Sequence, residues 1–399
     1  MKFEIFRERT KDIEDNYVIV LYELASKDNV KKAAWDLAIG QSVGNPNVRN
    51  EWETDELFEK YSCLVLENPS TLESAKREFV QIAFPVANTN WDEDGIAHLM
   101  CQIMGGQADI EHITYCRAID IKIPASVREH FKKPKYGLSG MRKFTGQYDK
   151  PLLGGIIKPK TGISPQVLLE MTKQLVDGGV DFIKEDEILS NPAFCSLEER
   201  VPLISNYLAN SDRNVVYCFC INGDPHTISK RAKFVADNGG NGVHINVWSG
   251  LGSYNTIRKL DLPLFIHYQK SGDKAFTHKN NPFSVSWLIL CKLAALCGVD
   301  TIHAGMYGGY LNDDEEELNS VMKALTEGNV VPALSCGMHP GLVQKVVSVF
   351  GNDFMANVGG AIHGHPQGTI AGARAMRQAI DKTNGDDYQT AIKKWGLVL

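Results

Sequence analysis

Two lysines, Lys158 and Lys160, stand a residue apart in "GGIIKPKTGIS", Gly154–Ser164. A little further on, "GGVDFIKEDEILSNP" sets Lys184 against Glu185, Asp186 and Glu187. Adjacent carboxylates suit a hard cation such as Mg2+, which takes oxygen ligands and keeps several waters. Asp186 and Glu187 are therefore candidate metal ligands, though two carboxylates are few for a stable site. Lys184 cannot help as an ammonium ion. As the anionic carbamate formed with CO2 it would add an oxygen ligand. The other reading is that Lys184 simply ion-pairs with Asp186 or Glu187, and the pattern leaves both open.

More polar residues follow at intervals: Asn222, His244, Asn246, His267 to Lys270, His303, Ser335, Gly337, His339, then Gly359–Gly360 running on to His363 and His365. Taken singly, a histidine of this kind is more often a hydrogen-bonded structural residue and a Gly–Gly more often a turn. Gly359–Gly360 before a helical stretch also fits a phosphate cradle. Backbone N–H groups approach an anion closely where no Cβ intervenes, and helix N-termini favour negative charge. Gly337 is consistent with that use.

The elements that carry these residues make the singles harder to dismiss. From about Leu152 the chain alternates short Val/Ile-rich strands with helical stretches, eight times over. Such strands read as buried on both faces. Eight units predict a (β/α)8 TIM barrel, with a doubly wound open sheet as the alternative. In a barrel the active site lies at the C-terminal ends of the strands, and the polar residues recur at that end. The earlier part reads as an α+β domain of ferredoxin-like type. Its strands are "YVIVLYELA", "SCLVLENP", "EFVQIAFPVA" and "YCRAIDIKIP"; its helices are "VKKAAWDLAIGQS" and "GIAHLMCQIMGG". The expected domains are 1–135 and 136–399, with "FKKPKYGLSGMRKFTGQYDKP" as the connection.

Composition narrows the function classes. A net charge of −6 over 399 residues argues against a general nucleic-acid or anionic-membrane binder. The N-terminus is charged and lacks the apolar core of a signal peptide. No apolar run approaches the roughly 18 residues that span a bilayer. Nine scattered cysteines without a CxxC pair read as reduced thiols in a cytoplasmic protein, with a catalytic cysteine as the lesser reading.

The motifs "GGIIKPKTGIS", "GGVDFIKEDE", "IHAG" and "ALSCGMHPG…NVGGAIHGHPQG" resemble the large chain of ribulose-bisphosphate carboxylase (RuBisCO), and more closely the RuBisCO-like proteins (form IV). The resemblance covers almost the whole chain. It implies a homodimer, or a higher assembly of dimers, with sites shared between subunits. It implies Mg2+ held by a carbamate on Lys184 together with Asp186 and Glu187. Lys158 matches the lysine that handles the substrate enolate, and Lys160 a second active-site lysine. His267 and His303 match the histidines after strands five and six. Ser335, Gly337, Gly359 and Gly360 match substrate- and phosphate-binding positions. Gln102 falls near the asparagine that the partner subunit contributes.

Departures bear on the reaction. Where the carboxylase has an arginine after strand five, holding a second phosphate, this chain has Tyr268, which gives no bidentate charged clamp. The lysine of the loop after strand six is replaced by Tyr310, and an N-terminal glutamate by Gly40. The expectation is Mg2+-dependent enolisation of a singly phosphorylated ketose or keto-acid, with no useful ribulose-bisphosphate carboxylation. The phosphate would lie at Gly337, Gly359 and Gly360, and the far end at Tyr268, Lys270, Ser335 or Tyr310. Lys158 is the first candidate base, and the Lys184 carbamate the second. Because His303 is retained and the segment after strand six is "HAGMYGGY" rather than "SPYG", the reading leans to transcarboxylation and hydrolysis of a phosphorylated branched 3-keto-acid of the 3-oxo-isoapionate 4-phosphate type. The alternatives are the methionine-salvage enolase, acting on 2,3-diketo-5-methylthiopentyl-1-phosphate, and 5-methylthioribulose-1-phosphate isomerase. Outside this class stand a Schiff-base aldolase using Lys158 or Lys184, and a non-catalytic metabolite-binding relative.

Overall fold

The computed structural model describes residues 4–45 and 48–398. In chain order its strands are β1 (Tyr17–Ser26), β2 (Leu64–Val65), β3 (Arg77–Pro85), β4 (Ile113–Lys122), β5 (Leu152–Ile156), β6 (Phe182–Lys184), β7 (Val216–Cys220), β8 (Gly242–Asn246), β9 (Phe265–Gln269), β10 (Phe283–Val285), β11 (Thr301–Gly305), β12 (Val331–Leu334) and β13 (Met355–Val358). Two compact units are present. One comprises the chain up to Phe131 with Gly272–Leu296, the other Lys132–Ser271 with the chain from Cys297 on.

The first unit is a five-stranded sheet in the order β10-β4-β1-β3-β2. β1 is antiparallel to both β3 and β4, and its alternating burial marks a sheet with one face packed. The helices Val30–Gly40 and Gly95–Ile103 belong to this unit. The sequence gives no sign that the stretch after the fifth barrel strand also does. Phe283–Val285 pairs in parallel with β4, and Cys116 N donates to Pro282 O at 2.8 Å. The apolar helix Trp287–Leu296 follows directly.

The second unit is a closed parallel barrel, β5-β6-β7-β8-β9-β11-β12-β13, with β13 returning to β5. All eight expected barrel strands are present. They are short and buried, as a sheet covered on both faces requires. The basic segment expected as a plain connection contains a helix, Gly137–Thr145. Its Met141 packs with Leu152, Phe182, Val216, Phe265 and Met355, and Leu138 and Phe144 lie against the same cluster. Leu138, Met141 and Phe144 recur every three residues, a narrow apolar stripe that the surrounding glycines and lysines obscure in the sequence.

No helix among the described residues is long and apolar enough to cross a membrane. The nine cysteines are free thiols; Cys101 is exposed, Cys336 partly so, and the other seven are buried. Burial pushes the thiols of Cys63, Cys116 and Cys297 up to about 12, which makes them poor nucleophiles.

Candidate active site

Charge collects where β5 and β6 end. Lys184 is the last residue of β6 and is 1% exposed. Its Nζ lies 3.2 Å from Glu187 Oε2. Lys158, just past β5, donates from Nζ to Asp186 Oδ2 at 2.6 Å. The two lysines thus neutralise the two carboxylates in neighbouring pairs. Burial works against the Glu187 carboxylate. The Lys184 ammonium and the Ser271 hydroxyl outweigh it, so Glu187 stays ionised well below the usual carboxylate range.

Strand alternation separates the acidic residues. Lys184 and Asp186 share one side, and Glu185 turns to the other, where Arg200 receives it. Glu187 is held at both ends of its residue. Asn222 Nδ2 donates to its backbone oxygen at 2.6 Å, and Gln269 Nε2 to its Oε2 at 3.2 Å. These two arms are joined through Asn246, whose N donates to Asn222 Oδ1 and whose Nδ2 donates to Ser271 O. Gln269 Nε2 then donates to Ser271 Oγ, closing a polar circuit over the ends of β6, β7, β8 and β9. Gln269 is among the polar residues that the sequence sets at the end of the fifth strand, with no individual role assigned to it there. Its signal was there: it stands two residues after His267 and so on the same face of β9.

Three buried histidines stand on the barrel strands: His244, His267 and His303. Burial first, then the Lys270 and Lys184 ammonium charges, push the His303 imidazole down to about 3. His267 is held well below its ordinary value by burial, Lys184 and His303, and His244 by burial, Lys184 and His267. All three are neutral near pH 7. His303 Nε2 and Ser335 Oγ are 2.6 Å apart, which brings together two residues picked out on different strands. Lys270 is also buried and faces Asp313 at 3.5 Å.

On the other side of Lys158 lies the glycine pair. A Cβ on Gly359 would sit 3.3 Å from Lys158 Cε, whereas one on Gly360 would meet nothing within 4 Å. Gly360 opens the short helix Gly360–His363. Gly337 has φ +121, and a Cβ there would collide with the backbone of Gly309 and Tyr310. Its bare Cα is the seat on which the loop after β11 rests, and Leu311 N donates to Cys336 O beside it.

Other residues fall elsewhere. Lys160 is exposed rather than gathered into the cluster. Tyr268 is fully buried and stacks on Tyr254 of the helix Leu251–Lys259, centroids 4.6 Å apart. Alternation along β9 sends it away from the side of His267, so the expectation that it meets the substrate is corrected. Tyr310 is 86% exposed. His363 bonds to Ile156 O and Thr369 Oγ1, and His365 to Asp387 O, which are structural duties. Gln102 lies in the first unit, where Thr89 donates to its Oε1 and its Nε2 donates to Asn88 O. Gly40 is also there, and the space its side chain would need is taken by Gln107.

The chemistry of the donor set fits a divalent cation in one form. Among the described residues no three His, Cys, Asp or Glu side chains gather as a metal site, so Asp186 and Glu187 need a third anionic donor. Lys184, were it a carbamate, would supply it. The charges would then balance as they do without the ion: Lys158 and a divalent cation would offset the carbamate and the two carboxylates.

Residues 137–395 match the family model "Ribulose bisphosphate carboxylase large chain, catalytic domain", and residues 6–127 match "Ribulose bisphosphate carboxylase large chain, N-terminal domain". The ribulose bisphosphate carboxylase of Pyrococcus furiosus is 30% identical, over 96% of this chain and 95% of its own. The 2,3-diketo-5-methylthiopentyl-1-phosphate enolase of Geobacillus thermodenitrificans is 29% identical, over 96% of this chain and 98% of its own. Among solved structures, the octameric ribulose-1,5-bisphosphate carboxylase/oxygenase of Pyrococcus horikoshii OT3 superposes with a TM-score of 0.88 at 28% identity, covering 98% of this chain and 96% of that one. A rubisco-like protein from Alicyclobacillus acidocaldarius superposes with a TM-score of 0.82 at 26% identity, covering 96% of this chain and 99% of that one. The α+β unit and the closed barrel are the two domains those models describe, and the chain belongs to the ribulose bisphosphate carboxylase large-chain family, with RuBisCO-like proteins among its structural neighbours.

Proposed function

We propose that this protein is a Mg2+-dependent enolising enzyme acting on a singly phosphorylated diketone of the 2,3-diketo-5-methylthiopentyl-1-phosphate class. The observation that carries the reading is the double pairing of Lys158 with Asp186 and Lys184 with Glu187 at adjoining strand ends. It puts a proton-handling amine beside a potential oxygen-ligand set. Tautomerisation takes precedence over the keto-acid reaction first favoured, because the enolase from Geobacillus thermodenitrificans aligns over nearly the whole chain. Lys184, Asp186 and Glu187 would hold Mg2+, which when bound supplies Lewis-acid polarisation of the substrate carbonyl.

The chain's own residues do the rest. Lys158 Nζ, once its ammonium has passed a proton to solvent, takes the proton from the carbon next to the carbonyl, and the ammonium so re-formed pairs again with Asp186 across 2.6 Å. Neutral His303, with Ser335, offers a hydrogen bond to the oxygen-rich part of the substrate without adding charge. The open backbone at Gly360 receives the phosphate. The carboxylase's cationic positions are absent: the loop Met306–Asp313 contains no lysine, and Tyr268 is turned into the helix layer. Ribulose-bisphosphate carboxylation is therefore not expected.

One observation keeps carboxyl transfer on a branched 3-keto-acid as a second reading. Lys270, buried near His303, would suit a substrate carboxylate better than a methylthio tail. The functional assembly is proposed to be a homodimer in which Gln102 of the partner subunit completes each site.

The test is proton exchange. The protein is incubated with Mg2+ and bicarbonate in D2O, given the diketo-phosphate or a phosphorylated keto-acid, and followed by NMR, with Lys184→Ala as control. Deuterium uptake and enol product from the diketo-phosphate, dependent on Mg2+ and on Lys184, is the expected result. Turnover of the keto-acid alone would favour the second reading. Exchange unaffected by Lys184→Ala would sink the metal-site assignment.

A further inference from the structure

Glu185 stands between Lys184 and Asp186, yet neither the metal nor the substrate has a use for it. We infer that Glu185 and Arg200 form a buried positioning device that fixes the direction of the Lys184–Glu187 segment and so sets its affinity for a divalent cation. The inference rests on the metal reading proposed above and deepens it.

β6 is only three residues long, and its ladder with β7 ends where Lys184 stands opposite Cys218. Beyond that point a side chain continues the pairing. Cys220 N donates to Glu185 Oε2 at 2.7 Å, and Tyr217 OH lies 3.3 Å from Glu185 Oε1. Arg200 reaches the same carboxylate from the first turn of the helix Leu197–Ala209. Its Nε donates to Oε1 at 2.8 Å and its Nη2 to Oε2 at 3.0 Å, a bidentate fork.

Arg200 spends its remaining N–H groups on the backbone around the site. Nη1 donates to Cys195 O at 2.6 Å, and Nη2 to Cys220 O at 3.3 Å and to Ser190 O. One guanidinium thus ties both ends of the loop that follows the candidate ligands to the end of the neighbouring strand. With Glu185 locked outward, alternation compels Lys184 and Asp186 to face the opposite way.

Both groups are fully buried. Desolvating such a pair is costly, and well-packed apolar residues commonly stabilise a core as well or better. Stability alone gives no reason for an ion pair here. Direction does, because a planar fork fixes a carboxylate in angle as well as distance. The sequence hid the pairing: the partners are 15 positions apart, on different elements.

The test compares wild type, Arg200→Lys, and the double variant Glu185→Leu/Arg200→Met. Mn2+ serves as the probe, with bicarbonate present. Free Mn2+ is read by electron paramagnetic resonance, the carbamate by 13C NMR with labelled bicarbonate, and the melting temperature by circular dichroism. The double variant is expected to melt within a few degrees of wild type while its Mn2+ affinity falls about 10–100-fold, the usual effect of removing groups that orient ligands. Its carbamate signal should weaken in step. A folded double variant that binds Mn2+ as wild type does would overturn the inference. If that variant does not fold, Arg200→Lys decides: it keeps the charge and loses the fork, so undiminished Mn2+ affinity overturns the inference and a loss of about tenfold or more supports it. Wild-type protein that binds no Mn2+ under these conditions would overturn the metal reading, and this inference with it.

Discussion

Lys158 is where the proposed chemistry is most exposed to test. Replacing it with alanine removes the amine and leaves Asp186 without its 2.6 Å partner. Turnover is expected to fall by about 10²–10⁴-fold, the usual share of a positioned acid–base group, while Lys160→Ala, at an exposed position, changes it little. Comparing the two by single-turnover NMR checks the assignment; equal losses would refute it. His303 gives a prediction in pH. Its folded value of about 3 lies below the ordinary value of roughly 6.5. The unfolded chain therefore binds the proton first, and stability falls as pH drops from about 6.5 towards 3, by at most ~1.4 kcal/mol per pH unit for one proton. Urea midpoints measured across that range should fall less steeply for His303→Asn. The candidate ligands and His303 were legible because carboxylates and histidines at strand ends are rare enough to notice. Tyr268 was misjudged because its neighbour His267 faces the barrel interior, and a one-residue step along a strand reverses the side.

At the scale of elements, the loop after β11 depends on one bare Cα. Gly337 has a backbone conformation that L side chains rarely adopt, and any Cβ there meets Gly309 and Tyr310. Gly337→Ala should cost more than ~1 kcal/mol and displace that loop. A drop in melting temperature together with a raised KM for the phosphorylated substrate is the expected result; an unchanged KM would place the loop outside the site. The barrel strands were readable because each is a short apolar run closed by glycine or a polar residue. The helix Gly137–Thr145 was not, since three apolar side chains among glycines and basic residues make a weak period. β10 was hidden differently. Three residues before an apolar helix carry no strand signature of their own, and their pairing with β4 joins positions more than 160 residues apart.

For the whole molecule, the proposed sharing of sites can be tested by mixing. Gln102→Ala and Lys184→Ala would each be nearly inactive alone if the partner subunit's Gln102 completes the site. Mixed dimers would regain up to about half of wild-type activity per heterodimer, because one of their two sites carries neither change. No recovery after verified subunit exchange would mean that Gln102 acts within its own chain or not at all. The two-domain plan was legible from the switch between α+β and alternating β/α patterns. The assignment of Gly272–Leu296 to the first unit was not, because chain order says nothing about which sheet a crossover segment joins.

The cysteines described with the fold offer a clock. Seven of nine are sealed inside, so a thiol reagent in excess should modify Cys101 quickly, Cys336 more slowly, and the rest only when the chain opens. The late phase then reports spontaneous opening of the native protein in the absence of denaturant, residue by residue if the adducts are mapped by mass spectrometry. Cys63 and Cys116 would time the first unit, and Cys195, Cys218 and Cys220 the barrel. Bound substrate that seals the barrel should lengthen the second set of times and leave the first set unchanged.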